Sequence, residues 1–235
     1  MKTKVKQVNS KKVEALFFLC LSVMLLCAEK GIAQRTDKRN ASCYEMSFSA
    51  NYLHYTIQKE IRSQDIDSIN DVNLSGKAGV GLGVLKNFEI SSGALIRTGI
   101  LVQLHKNNAN YKLLSGTKDI SINTVSCSFP LSFIYLLNNK NKKPVFAKPY
   151  PLVGAKYTFV STLGGKQNIY FSTNDVMMDL GLGVHLYSKK KHLVALEFIF
   201  SNGFINIKDK SVDDIYNRTI NKLFRQTYMF SINIS

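Results

Sequence analysis

The chain has 235 residues, 45% of them apolar and 20% charged, enough for one domain, and no break in composition marks a second. Lys and Arg number 31 against 16 Asp and Glu, a formal charge of +15, but the cations scatter among turns, strands and loops rather than gathering with aromatics on one surface, which argues against nucleic acid as a partner. Four cysteines and four histidines fall at no metal-ligand spacing, so no metal site and no cofactor is expected.

Residues 1–33 have the three-part design of a secretory signal. Lys2, Lys4, Lys6, Lys11 and Lys12 form a basic start, Ala15 to Ala28 is nearly all apolar, and Gly31-Ile32-Ala33 places small residues before Gln34. Cleavage is expected after Ala33. The apolar run is shorter than the roughly 20 residues of a helical span, and Leu19 and Leu26 before Cys20 and Cys27 argue against a lipoprotein signal. Loss of six Lys and two Glu takes the charge to +11. Residues 34–43 read as a short N-terminal segment and 44–235 as the folded unit. Cys43 and Cys127 remain, and Cys127, on an apolar strand face, reads as a small hydrophobe. No later stretch stays apolar for the ~18 residues of a membrane helix.

From Tyr44 onward the chain alternates with period two, the pattern of two-faced strands. Tyr44 to Gln58 is a first, less regular segment. In the second, Val72, Leu74, Ala78, Val80, Leu82 and Val84 share a face opposite Asn73, Ser75, Lys77, Gly79, Gly81 and Gly83. A third sets Phe88, Ile90, Ala94, Ile96, Ile100, Val102 and Leu104 against Glu89, Ser91, Gly93, Arg97, Gly99 and Gln103, with Leu95 as its exception. Ile120 to Leu137 and Phe146 to Thr162 come next. Val176, Met178, Leu180, Leu182, Val184 and Leu186 then alternate with Asp175, Asp179, Gly181, Gly183 and His185. Leu193 to Phe204 and a final run, Phe224, Tyr228, Phe230, Ile232 and Ile234, complete about eight strands. Short turns are expected at Leu85 to Asn87, Asn138 to Pro144 and Ser188 to Lys191. Long connections are expected at Lys59 to Asp71, Lys106 to Asp119, Leu163 to Asn174 and Ile205 to Asn221. That rhythm is the one of an all-β, eight-stranded antiparallel up-and-down transmembrane β-barrel with both termini on the periplasmic side.

Alternation alone does not say which face is inside. The polar face combines glycines with Glu45, Lys77, Glu89, Arg97, Lys156, Asp175, Asp179, Glu197 and Arg225, a nearly balanced charge set. An eight-stranded barrel is only wide enough for side chains to fill, so the glycines would make room and the charges pair across a plugged lumen. The apolar face, with Tyr44, Phe88, Tyr157, Phe159, Phe224 and Tyr228 near strand ends, then meets outer-membrane lipid. The lysine runs Lys140 to Lys143 and Lys189 to Lys191 read as solvated hairpin tips.

Lys148-Pro149-Tyr150-Pro151-Leu152-Val153-Gly154-Ala155, Asp179-Leu180-Gly181-Leu182-Gly183-Val184, and Leu196-Glu197-Phe198 leading into Ser201-Asn202-Gly203 resemble the PorT-like family of outer-membrane β-barrels of Bacteroidetes. The Ala33-Gln34 junction looks like signal-cleavage sites in that group. The resemblance implies an eight-stranded barrel in the bacterial cell outer membrane. One family member serves a protein-secretion and gliding-motility apparatus, which makes envelope or secretion-machinery proteins candidate partners. The ending Phe230-Ser231-Ile232-Asn233-Ile234-Ser235 departs from the terminal aromatic common in such barrels.

The function expected is structural, adhesive or secretion-associated and not enzymatic, with the Lys59 to Asp71 and Ile205 to Asn221 connections as partner-contact candidates. Two other readings stay open on the residues alone. One is a soluble periplasmic eight-stranded barrel with an apolar ligand in its core. The other is an outer-membrane lipid hydrolase, in which His105 and the Ser115 loop could meet near a rim, although no Gly-x-Ser-x-Gly elbow exists. His185 shares a face with Asp179 and Asp175, as a polar lumen network or a proton-transfer cluster.

Overall fold

Alternating residues that bury one side chain and expose the next form strands throughout the computed structural model, which describes residues 43–59, 69–91, 93–137, 147–163, 174–188, 191–208 and 220–235. The expected signal segment, residues 34–42 of the N-terminal segment, most of the 59–71, 163–174 and 205–221 connections, the lysines of the 138–144 turn, and Lys189 and Lys190 lie outside the described residues, whereas Cys43 already belongs to the first strand. Nine strands occur among them: β1 (Cys43–Lys59), β2 (Ile69–Gly76), β3 (Ala78–Ser91), β4 (Ala94–Leu113), β5 (Gly116–Tyr135), β6 (Ala147–Leu163), β7 (Asn174–Ser188), β8 (Lys191–Gly203) and β9 (Ile220–Ile234).

All pairing is antiparallel. β1 pairs with β3, β3 with β4, and so on through β5, β6, β7 and β8 to β9, which returns to β1 from Met46↔Ile234 to Lys59↔Ile220. β2 lies on β4 beyond β3 and continues it, so the ring is a closed barrel of eight strands. Closure leaves the ladders without a free edge around the wall, the condition a sheet must meet to cross a bilayer.

Three expectations about local structure are corrected. Leu85 to Asn87 is strand, paired with Gly99 to Arg97, and the β3–β4 pairing continues to Ser91↔Ala94. Polar Lys86 and Asn87 looked like a turn because one faces the outer rim and the other a polar lumen. Lys106 to Asp119 is not a long connection: β4 and β5 pair up to Leu113↔Gly116 and turn through Leu114 and Ser115, with Gly116 at φ 137° where a side chain would be strained. Polar residues continue there as strand because that part of the wall stands beyond the apolar belt. Lastly, Val72 and Leu74 do not share a face with Val80, Leu82 and Val84. Pairing runs Gly76↔Asn107 but Val80↔Leu104, one residue out of step across Lys77, and this bulge reverses the alternation. Val72 and Leu74 are therefore buried inside while Val80 and Leu82 face out.

From Lys106 to Leu113, β4 runs about 24 Å past the end of the apolar belt. With β5, β2, β1 and β9 it forms a wall that projects on the side opposite the termini. Inside the projection Leu53, Tyr55, Ile69, Val72, Leu74, Ala109, Tyr111, Ile220 and Leu223 pack together. Ile207, beyond β8, is fully buried among them, its N–H donating to the Leu223 carbonyl at 2.9 Å.

Candidate functional site

Two surfaces carry what this barrel can do: the inward faces of the strands and the outward ones. Along each strand from the terminal end, the inward side chains come in four layers. The first holds Glu45 of β1, Asn87 of β3, Arg97 of β4, Tyr150 of β6 and Glu197 of β8. Arg97 donates through Nε to Asn87 Oδ1 at 2.8 Å, through Nη2 to Glu45 Oε2 at 3.0 Å, and through Nη1 to Glu197 Oε1. Tyr150 Oη donates to the same Glu197 oxygen, and Ser231 Oγ reaches Oε2 at 3.3 Å. A guanidinium presents five donors in a planar fork, so it can hold two carboxylates and an amide at once where lysine could not.

Next along each strand comes an apolar layer of Leu85, Leu101, Ile134, Leu152, Ile199 and Met229. The third layer is polar. Lys156 Nζ lies 3.3 Å from Asp179 Oδ1 and donates to Ser201 Oγ at 2.7 Å, and Arg225 Nε lies 3.6 Å from Asp175 Oδ2. The projecting cluster around Leu53 and Tyr111 is the fourth. Glycines admit these groups: a Cβ on Gly183 would stand 2.4 Å from Tyr150 Cζ, and one on Gly79 would stand 2.9 Å from His105 Nδ1.

Of the nine charges read from the sequence, Glu45, Arg97, Lys156, Asp175, Asp179, Glu197 and Arg225 are buried on inward faces. Lys77 and Glu89 are exposed and stand apart from them. Lys77 is carried out by the bulge. Glu89 comes after Asn87 on the inward face but sits at the rim, one step from the turn, where water reaches it. Asn87, Tyr150, Ser201 and Ser231 were missing from the set. Period two would have placed Tyr150 with Lys156 on one face of β6, whereas Asn87 was hidden by the turn assigned to it.

Among the described residues, neither His105 nor His185 meets the partners read for it from the sequence. His105 Nε2 lies 3.3 Å from Ser126 Oγ, but both are buried in the lumen, and the other ring nitrogen, Nδ1, has no hydrogen-bond partner among the described residues where a triad would place a carboxylate. Ser115 is exposed at the β4–β5 turn, about 30 Å along the strand from His105. His185 packs on Tyr150, ring centroids 4.4 Å apart, and lies about 20 Å along β7 from Asp179. Among the described residues no group of three potential metal ligands forms, and no helix is long and apolar enough to cross a membrane.

Outside, the polarity inverts. Leu182 is 69% exposed, Val80 62% and Leu131 61%, and they belong to a continuous apolar surface with Leu82, Ile96, Leu104, Val153, Leu180, Phe198 and Ile232. On β7 it runs from Val176 to Leu186, about 33 Å along the strand and about 25 Å in height once tilted, which matches the lipid band of an outer-membrane barrel. Aromatics mark its margins: Phe88 and Tyr135 toward the terminal end, Tyr52, Tyr157, Phe159 and Tyr228 toward the projection, all exposed. Lys86 Nζ lies 4.9 Å from the Tyr44 ring centroid and 4.8 Å from that of Phe88, as expected of a cation at headgroup level. A water-soluble barrel with a buried apolar ligand needs the opposite orientation, so that reading is overturned. Cys127, on the outward face of β5 opposite Val102 and Phe159, is covered by its neighbours.

No protein-family model matches the chain, and no curated protein does. Among solved structures it is similar to the Neisserial surface protein A at 14% identity (TM-score 0.44, 83% of this chain and 98% of that one) and to the outer membrane protein OprG of Pseudomonas aeruginosa at 10% identity (TM-score 0.47, 81% and 91%). The attachment invasion locus protein Ail of Yersinia pestis is similar at 7% identity (TM-score 0.34, 81% and 96%). At these scores the likenesses are weak, and the fold stands on the chain's own strand pairing. A closed eight-stranded antiparallel wall, polar within and girdled by an apolar belt without, is a β-barrel of the bacterial outer membrane.

Proposed function

We propose that this barrel is a non-enzymatic component of the envelope whose lumen is closed by its own side chains and which works through its projecting wall and outer loops, in a structural, adhesive or secretion-associated role. The observation that carries this reading is the stack of four lumen layers. An ion entering from either side would have to displace a hydrogen-bonded charge cluster and cross two apolar layers, at Leu101/Met229 and at Leu53/Tyr111. The enclosed Ser126–His105 pair offers no place for a lipid ester.

Conductance tests the closed lumen directly. The folded chain in planar bilayers is expected to show no stepwise current, and reproducible ohmic channels from the wild-type protein would overturn the plugged reading. Kinship with PorT-like barrels, and with it a place beside secretion machinery, is supported by the motifs at Lys148 to Ala155 and Asp179 to Val184. Deleting the gene in the source bacterium should then lower the export of secreted proteins. Unchanged export would remove secretion from the reading and leave the structural and adhesive roles.

A further inference from the structure

The bulge between β2 and β3 does more than reverse a face. Regular pairing would turn Lys77 into the lumen with Gly79, Gly81 and Gly83. The extra residue instead brings it to the outer surface, where its Nζ lies 3.1 Å from the Asn108 side-chain oxygen once that amide is oriented to suit its neighbours. Bulges at barrel rims commonly re-aim a side chain in this way. The Lys77 N–H donates to the Lys106 carbonyl at 3.1 Å, so two exposed lysines are cross-strand neighbours. Like charges side by side are destabilising. Lys59 has Asp71 as its partner at 2.5 Å, whereas no carboxylate among the described residues pairs with Lys77 or Lys106. Directly below, toward the membrane, Leu104 and Val80 are exposed at the upper edge of the apolar belt, and Asn123 lies opposite Lys106 on the outward face.

We infer that Lys77 and Lys106, with Asn108, form a binding site for the phosphorylated headgroup of an outer-leaflet lipid, whose acyl chains lie on Leu104, Val80 and Leu82. The inference rests on the outward-belt, loops-outside reading of the barrel. A phosphate supplies the missing anion between two ammonium groups, and the apolar wall beneath distinguishes an amphiphile from a free ion.

The test is native mass spectrometry of the folded full chain released from detergent micelles, with bis-phosphorylated lipid A and its dephosphorylated form as probes. The paired variant Lys77→Gln/Lys106→Gln is compared with Lys112→Gln/Lys222→Gln, which removes equal charge from the same wall. The first pair should retain at least about tenfold less phosphorylated lipid and the second should retain it as the wild type does. Equal retention by the Lys77/Lys106 variant, or equal retention of the dephosphorylated lipid, overturns the site. Displacement by millimolar inorganic phosphate, or by a soluble polysulfated saccharide with the same lysine dependence, makes it a soluble-anion site and overturns the lipid. A heat-modifiability gel and insertion into phosphatidylcholine vesicles check the barrel separately. A wild-type chain that does not insert fails the belt reading itself, whereas an inserted chain without lysine-dependent retention fails only the site.

Discussion

Arg97→Met tests whether the charge cluster at the terminal end holds the barrel together. The substitution keeps most of the side-chain volume and removes three hydrogen-bonded contacts, to Glu45, Glu197 and Asn87, in a place where all three charged side chains are at most 2% exposed. Removing one partner of a buried ion pair costs about 3–5 kcal/mol because the other charge stays buried. Here two carboxylates are left facing each other, so the loss should reach the top of that range. Changing Glu45 and Glu197 to Gln as well removes the orphaned charges, and the triple variant should recover to within about 2 kcal/mol of wild type, since neutral replacements of buried ion clusters are often tolerated. Urea titration of the protein folded in vesicles, monitored by loss of the compact unheated band, measures both. Two results would refute the reasoning: Arg97→Met within about 1 kcal/mol of wild type, or a triple variant no more stable than the single one. Either would mean that the wall's hydrogen-bonded ladder alone holds the barrel and that the cluster only fills space.

Other perturbations probe the two faces. Leu182→Arg, at the most exposed outward leucine, should cost about 2–4 kcal/mol in a bilayer, whereas an exposed leucine of a water-soluble protein would accept the change at almost no cost; the same urea titration tells them apart. Gly183→Ala should lose about 1–3 kcal/mol because its methyl group would meet the Tyr150 ring, and Tyr150→Ala in the same chain should relieve that clash, so that the two losses fail to add in a double-mutant cycle.

The strand count, the antiparallel ring and the outward apolar belt are written in the chain itself. A side-chain period of two is a local property of the backbone, and a run such as Val176 to Leu186 displays it without help from its neighbours. The same period places seven of the nine charges of the polar face in the lumen, all but Lys77 and Glu89. Three things depended on the assembled sheet. Pairing alone shows that Leu85 to Asn87 is wall and not turn, because a strand crossing from lipid to water changes its outward chemistry at the boundary. Only the register between β2, β3 and β4 reveals the bulge at Lys77, since one unpaired residue leaves no mark on composition yet sends every residue of β2 to the face opposite the one that continuing β3's alternation would give it. Which charge meets which is also tertiary. Arg97 and Glu197 stand a hundred positions apart in the chain and meet because barrel closure and strand stagger bring β4 and β8 to face each other across the lumen, a distance that local periodicity cannot encode.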